Sequence, residues 1–271
     1  MTALVDGADY ARLLTIVEQR AGRYAEDLES VLARAGLRGE ESRLLDEFEQ
    51  CVSGVLDHYP ARRRRASHEL LFRPFYETRQ ESVDSERRRT LLVALMAAEV
   101  EAQGPLRLTM AQNKDLAEIL ERLGVDCAAE GLWLHAAEAF ERAAETHLLT
   151  NDHAARDRCL FLQTRARHRI EQRPARRAFL AFSAVTCGYG YRPYRLLWWV
   201  LVQLVAFWLT LWLVTDALTP YNLYLAAVNY LNPAGTEQAS GAVKAVLVVE
   251  SYSGALSLNV FFALLVRRWF R

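Results

Sequence analysis

The residue types that could do chemistry lie on one face of an apolar segment near the end of the chain. Gly241–Val266 is apolar enough to span a membrane, yet it contains Lys244 and Glu250. At 100° per residue, one face of a helix here would carry Glu250, Ser253, Gly254, Ser257, Phe261 and Leu264. Because lipid cannot satisfy polar groups, this face must line a pore or contact a neighbouring helix.

Two interpretations of this face stay open on the sequence alone. As a pore lining, it would place a ring of Glu250 carboxylates toward the outer side, where the ring would favour cations. Gly254 would let the helix bend, and Phe261 with Leu264 would form an apolar constriction nearer the cytoplasm. The alternative is a seam between helices, in which the small residues allow close packing.

Two arginine clusters outside the apolar segments could bind a phosphate ligand. They are Arg62, Arg63, Arg64 and Arg65, and Arg87, Arg88 and Arg89. The guanidinium fork matches phosphate geometry, which predicts a nucleotide or a DNA or RNA oligonucleotide as the ligand. The alternative is that both clusters pair with residues 1–60 and 111–155, in which acidic residues outnumber basic ones.

The sequence predicts neither an enzyme nor a metal site. The four cysteines, at positions 51, 127, 159 and 187, are scattered, which is typical of a reduced compartment without disulfides. His153 is near Cys159, but no further ligand types neighbour this pair. Because there is also no glycine-rich phosphate loop and no nucleophile motif, we expect no catalytic residue, no metal and no cofactor.

One uncharged segment organises the C-terminal part of the chain. Leu196–Thr215 is twenty residues without a charge. As a helix it would be about 30 Å long, which is the thickness of the hydrocarbon core of a bilayer. With Gly241–Val266 as the second span, residues 196–271 are predicted to form a two-span membrane module. Residues 179–195 would be a juxtamembrane segment.

Residues 1–178 are predicted to form a cytoplasmic, all-α domain. Apolar residues recur at helical spacing in Ala8–Ala35, Glu40–His58, Ser85–Gln103, Thr109–Leu123, Ala128–Leu149 and Asn151–Glu171. We also expect a helix through Leu70–Phe72 that breaks at Arg73-Pro74, and a helix end at Gly124.

The segment Leu134–Leu162 resembles one tetratricopeptide repeat. The matching residues are Ala136, Ala137, Phe140, Ala143 and Ala144. Small side chains at such positions let helices pack closely. A solenoid needs about three repeats or more, so a generic helical hairpin is the alternative.

The juxtamembrane segment contains a sequence that matches the selectivity-filter motif of potassium channels. Thr186–Gly190 spells the Thr-x-Gly-Tyr-Gly of a potassium-channel filter. A filter must lie between two spans, whereas this run precedes the first one. We interpret it as a turn at Gly188 and Gly190 that is followed by an interfacial segment.

Three motifs resemble the bacterial two-transmembrane potassium-channel-like family over residues 187–271. Cys187–Arg195 (CGYGYRPYR) resembles the motif before the first span of such proteins. The second span, with Glu250-x-x-x-Gly254 and the ending Leu264-Leu265-Val266-Arg267-Arg268, resembles their inner helix. The resemblance implies a homo-oligomeric ion channel, in the family a tetramer, with a re-entrant segment at 219–240.

The filter that this resemblance implies is degenerate. It would comprise Asn232, Pro233, Ala234, Gly235 and Thr236. Of these residues only Gly235 fits the family pattern, so the resemblance does not imply potassium selectivity.

Arginine placement predicts the topology. Arginines precede the first span and follow the second, while the one base between these arginines is Lys244, near the start of the second span. By the positive-inside rule, both termini face the cytoplasm, and we expect the chain in the bacterial inner (plasma) membrane.

Two classes of function follow. The first is an ion channel gated by its cytoplasmic domain, and the resemblance implies a membrane-depolarising effector of anti-phage defence that a nucleotide or oligonucleotide controls. The alternative is a membrane-anchored helical scaffold that binds a protein partner without conduction.

Overall fold

A computed structural model describes residues 7–35, 40–59, 69–77, 84–191, 194–215, 220–231 and 241–269. Within these ranges the chain is all-α, as predicted, and contains no strand. The chain divides into two compact units, Met1–Gln172 (unit 1) and Arg173–Arg271 (unit 2). The division falls before the helix that begins at Pro174, rather than after residue 178, because that helix packs against the first apolar helix.

Unit 1 contains α1 (Gly7–Ala35), α2 (Glu41–Leu56), α3 (Arg73–Glu77), α4 (Asp84–Gln103), α5 (Met110–Ala129), α6 (Trp133–Leu149) and α7 (His153–Ile170). Unit 2 contains α8 (Pro174–Cys187), α9 (Tyr194–Thr215), α10 (Pro220–Leu231) and α11 (Gly241–Trp269). The apolar periodicity predicted α1, α2, α4 and α7 to within a few residues.

Helix α4 is the centre of unit 1. Every residue from Leu91 to Glu101 is buried, because α1, α2, α3, α5 and α6 all pack around this helix. A helix that is buried on all sides belongs to a core rather than to a surface. The arginines at the start of α4 lie outside that core.

A buried carboxylate of α4 explains why the expected helix through Leu70–Phe72 is wrong. Glu101 accepts hydrogen bonds from the backbone amides of Leu71 and Phe72 and, at 3.2 Å, from the hydroxyl of Tyr76. Those amides therefore point at a side chain and not along a helix. The helix begins instead at Arg73, with Pro74 in its first turn, where a missing N–H costs nothing.

The expected helix end at Gly124 is also wrong, since α5 continues to Ala129. A Cβ atom at Gly124 would lie 2.7 Å from Cε1 of the buried Phe140 in α6. The glycine thus serves the close approach of two helices rather than a helix end. The chain turns instead at Gly131, which has a φ of +81°.

The alanine-rich hairpin packs as its composition indicated. Its four matching alanines and Phe140 are buried between α5, α6 and α7. The turn between α6 and α7 uses Asn151 at a φ of +57°. Asp152 then caps α7 by accepting a hydrogen bond from the amide of Ala155 at 2.9 Å.

A buried polar contact ties α1, α2 and α6 together. The hydroxyl of Tyr24 donates to the carbonyl of Leu44 at 2.9 Å, so Nε2–H of His135 donates to the tyrosine oxygen at 2.5 Å. Burial lowers the pKa of His135 to about 4. The imidazole is therefore neutral at physiological pH and acts as a structural group.

We predict that Gly124→Ala destabilises unit 1, because the added methyl would force the buried ring of Phe140 to shift. Overpacking costs more than the roughly 1 kcal/mol that alanine gains in helix propensity, so the net loss should be about 1–2 kcal/mol. Gly22→Ala is the matched control, since its Cβ would meet the movable end of Arg89 at 3.0 Å. Thermal unfolding should show a lower midpoint for Gly124→Ala alone; equal midpoints would contradict the packing argument.

Candidate functional site

Two helices of unit 2 are long and apolar enough to cross a membrane. They are α9 and the Gly241–Val266 part of α11. The core helix of a soluble protein buries its large apolar side chains, whereas α9 exposes Trp198, Val202 and Leu213. This exposure fits association with a membrane.

The short helix α10 packs against both of these helices. Leu211 of α9, Ala226 of α10 and Leu247 of α11 are buried together and form a small apolar core. The three helices of unit 2 that follow α8 thus form one packed group, although α10 itself is only twelve residues long.

The contacts of α10 show how deep it runs beside α9. At its start, Nδ2 of Asn222 donates to Oγ1 of Thr215, the last residue of α9, at 3.1 Å. Near its end, the hydroxyl of Tyr230 donates to Oε1 of Gln203 at 2.5 Å. Thr215 and Gln203 are about 18 Å apart along a helix axis. The C-terminal end of α10 therefore lies more than halfway along α9.

Polar side chains fill the contact between α10 and α11. Nδ2 of Asn229 donates to the carbonyl of Leu247 at 2.7 Å and to Oε2 of Glu250 at 3.1 Å. Glu250 is fully buried, at 0% exposure. Its carboxylate is thus held by an amide from α10 within the same chain. We call Gln203, Asn229, Tyr230, Glu250 and Ser257 the polar seam.

Within the polar seam, Gln203 joins all three helices. Its Oε1 accepts from Tyr230 at 2.5 Å and from Oγ of Ser257 at 3.1 Å. Gly254 lies between these contacts, and a Cβ there would be 2.5 Å from the carbonyl oxygen of Tyr230. The glycine therefore lets the end of α10 lie directly against α11.

These contacts involve only some residues of the face that was predicted for the second span. Glu250, Gly254 and Ser257 contact α10 or α9, as the seam interpretation requires. Ser253, Phe261 and Leu264 are half-buried. That this face lines a pore stays a prediction. Phe261 and Leu264 are the residues of this face that lie beyond the end of α10. The filter residues Asn232–Thr236 lie outside the described residues.

Sequence reasoning missed three members of the polar seam, namely Gln203, Asn229 and Tyr230. One signal was available, because Gln203 is the one amide in the uncharged segment Leu196–Thr215. An isolated amide in a membrane span needs a partner on a neighbouring helix. Nothing in the sequence alone pairs Asn229 with Glu250.

The second arginine cluster is engaged within unit 1. Nε of Arg87 lies 3.2 Å from Oε1 of Glu130, and a terminal nitrogen of Arg88 lies 2.7 Å from Oε1 of Glu29. The guanidinium of Arg89 lies against Gly22 of α1. These contacts match the alternative of pairing with the acidic segments. Phosphate binding stays a prediction, and Arg62–Arg65 lie outside the described residues.

The filter-like run forms a turn, as interpreted from the sequence. Helix α8 ends at Gly188, which has a φ of +56°, and Gly190 has a φ of +84°. The amide of Tyr189 donates to the carbonyl of Ser183 at 3.1 Å. Left-handed glycines at a helix end are the usual way to satisfy the last carbonyls.

This chain matches no protein family, no curated protein and no solved structure with which it was compared. The resemblance to the two-span potassium-channel-like family therefore stays a prediction. The function must be argued from the geometry of unit 2.

We predict that Asn229→Leu destabilises the purified protein by about 3 kcal/mol, because it leaves the buried Glu250 without a donor. Adding Glu250→Leu should recover most of this loss, since no buried charge then remains. Asn259→Leu is the control, because Asn259 is exposed on α11. In thermal unfolding in detergent, the midpoint should be lowest for Asn229→Leu, higher for the double variant and close to wild type for Asn259→Leu. An Asn229→Leu variant as stable as Asn259→Leu would contradict the assigned role of the polar seam.

Proposed function

We propose that the chain forms a homo-oligomeric ion-conducting pore, with unit 2 as the membrane module and unit 1 as the cytoplasmic domain that controls opening. The observation that carries this proposal is helix α10. Its twelve residues extend about 18 Å, too short to cross a hydrocarbon core of about 30 Å, and it lies between two helices that are long enough.

The position of the end of α10 supports a re-entrant pore segment. Tyr230 contacts Gly254, which is about 20 Å along α11 from Gly241. The chain therefore leaves α10 beside the middle of the Gly241–Val266 helix rather than at its end. Non-helical backbone at membrane depth is tolerated where it is buried in protein or lines water. The predicted filter residues Asn232–Thr236 follow α10 in the sequence and lie outside the described residues.

The electrostatics of α10 favour cations. The C-terminal end of a helix carries about half a negative charge, and this end of α10 lies at mid-depth. The Glu250 carboxylate lies close by, held by Asn229. We assign Glu250 two roles: it positions α10, and it adds negative potential beside the conducting path.

An oligomer is required because two spans and one short helix cannot enclose a path for ions. The resemblance implies four subunits. Below the end of α10, the face of α11 that bears Ser257 continues to Phe261 and Leu264. In the assembled pore these two side chains would face the axis and form the apolar constriction that closes it by dewetting.

The alternative, a membrane-anchored scaffold, would not require α10. An anchor needs spans of sufficient length, but it needs neither a third helix inserted between them nor a polar seam. Polar groups inside a membrane are costly and persist mainly where they serve function. We therefore favour the pore over the scaffold.

Control by unit 1 is the regulatory part of the proposal. A nucleotide or oligonucleotide is the ligand class that arginines select, and Arg62–Arg65 carry this role because Arg87 and Arg88 are paired with carboxylates. Opening such a pore would depolarise the cell, which is the role implied by the resemblance to effectors of anti-phage defence.

We predict a topology with both termini in the cytoplasm of a bacterial cell. With Cys51 and Cys187 changed to Ser, Ala242→Cys should react with an impermeant thiol reagent added to intact cells, because Ala242 is exposed at the outer end of α11. Leu149→Cys, exposed on unit 1, should react after lysis only. Labelling of Leu149→Cys in sealed cells would reverse the topology.

We predict that Phe261→Ala gives a leaky pore, because it removes part of the apolar constriction. Phe262→Ala is the matched control, since its ring is 57% exposed and lies on a different face of α11. Purified protein in liposomes should show cation flux that Phe261→Ala raises and Phe262→Ala leaves unchanged. The proposal fails if wild type and Phe261→Ala pass no ions while particle images show single chains.

A further inference from the structure

We infer a binding site for a divalent transition metal, suited to Zn²⁺, where α5, α6 and α7 meet in unit 1. Its ligands are Glu121 of α5, His147 of α6 and Cys159 of α7. One ligand atom from each residue lies within 4.8 Å of the other two. Nε2 of His147 lies 3.8 Å from Oε2 of Glu121. This site is independent of the proposed pore.

The imidazole of His147 is the observation that points to a ligand. The residue is 2% exposed, and neither Nδ1 nor Nε2 has a hydrogen-bond partner. Buried side-chain polar atoms are nearly always satisfied, so two unpartnered ring nitrogens need an explanation. A metal ion at Nε2, which faces Glu121, supplies a partner for that nitrogen.

The geometry and charge of the three ligands suit zinc. With Zn–S near 2.3 Å and Zn–N or Zn–O near 2.0–2.2 Å, tetrahedral ligand atoms lie about 3.3–3.6 Å apart. The ligand atoms lie within 4.8 Å of one another, so their separations need a contraction of at most about 1.5 Å, within the reach of side-chain rotation. A Glu121 carboxylate and a Cys159 thiolate together neutralise a divalent ion. The thiol proton passes to solvent when the metal binds, and a water completes the fourth position.

Arg158 holds the carboxylate in place for this role. Its Nε and a terminal nitrogen lie 2.5 Å and 2.7 Å from Oε1 and Oε2 of Glu121. With a metal bound, Oε1 keeps Arg158 and Oε2 turns to the ion. Such outer partners commonly orient metal ligands.

The sequence did not reveal this site because its ligands are far apart along the chain. Glu121, His147 and Cys159 come from three helices, and no two share a short motif. The pair that is close in sequence, His153 and Cys159, is a different one. His153 is exposed and lies outside the group of three, so it provides a natural control.

Cobalt(II) is the probe that tests the site, because thiolate coordination gives an intense near-ultraviolet charge-transfer band. The full-length protein in detergent, stripped with a chelator, should develop this band with one Co²⁺ per chain and lose it on addition of Zn²⁺. Zn²⁺ should also raise the midpoint of thermal unfolding by several degrees.

Variants assign the band to these residues. Cys159→Ser and His147→Gln should each abolish it, and Glu121→Gln should weaken Co²⁺ binding at least tenfold. His153→Gln and Cys127→Ser should keep the wild-type band. No band in the wild type, a band that persists in Cys159→Ser, or a band lost in Cys127→Ser would overturn the inference. Circular dichroism establishes that each variant is folded before its spectrum is compared.

Discussion

The structure of unit 2 depends on one constraint: a carboxylate on an apolar helix must find its partners within the protein. Glu250 meets this constraint through Asn229, and that contact fixes the position of α10. Once α10 is there, Gly254 must lack a side chain, and Tyr230 is brought to Gln203. The placement of the short helix thus follows from the cost of a buried charge.

The polar seam also connects α10 to the start of α9. Phe182 of α8 packs edge-on against Trp199 of α9, with ring centroids 6.0 Å apart. Gln203 is one turn further along α9 and accepts the hydroxyl of Tyr230. A contiguous series of contacts therefore runs from α8 to the end of α10. A movement of α8 would act on α10 through packed groups and not through flexible linkers.

The sequence predicted those features of the fold that depend on periodicity and length. Apolar spacing located most helices, and length with apolar composition located both helices that are long enough to cross a membrane. It failed where a distant partner decides the local structure. The role of Gly124 depends on Phe140, and the turn at Leu71 depends on Glu101. The same reason limits the candidate site, since Glu250 was found by its charge but its partner Asn229 was not.

Both units contain a buried carboxylate that accepts a hydrogen bond from a side chain. In unit 1, Oε2 of Glu99 accepts from Arg142 at 2.9 Å, and in unit 2, Oε2 of Glu250 accepts from Asn229 at 3.1 Å, while Oε1 of each carboxylate has no donor. His147 is a different case, because its two unpartnered atoms are ring nitrogens, for which we infer a metal. In the polar seam, Oδ1 of Asn229 is a further acceptor oxygen without a donor. Oxygen acceptors are satisfied by water or by cations, and lipid offers neither. The unmet acceptors of the polar seam would need water beside α10, which the proposed pore would supply.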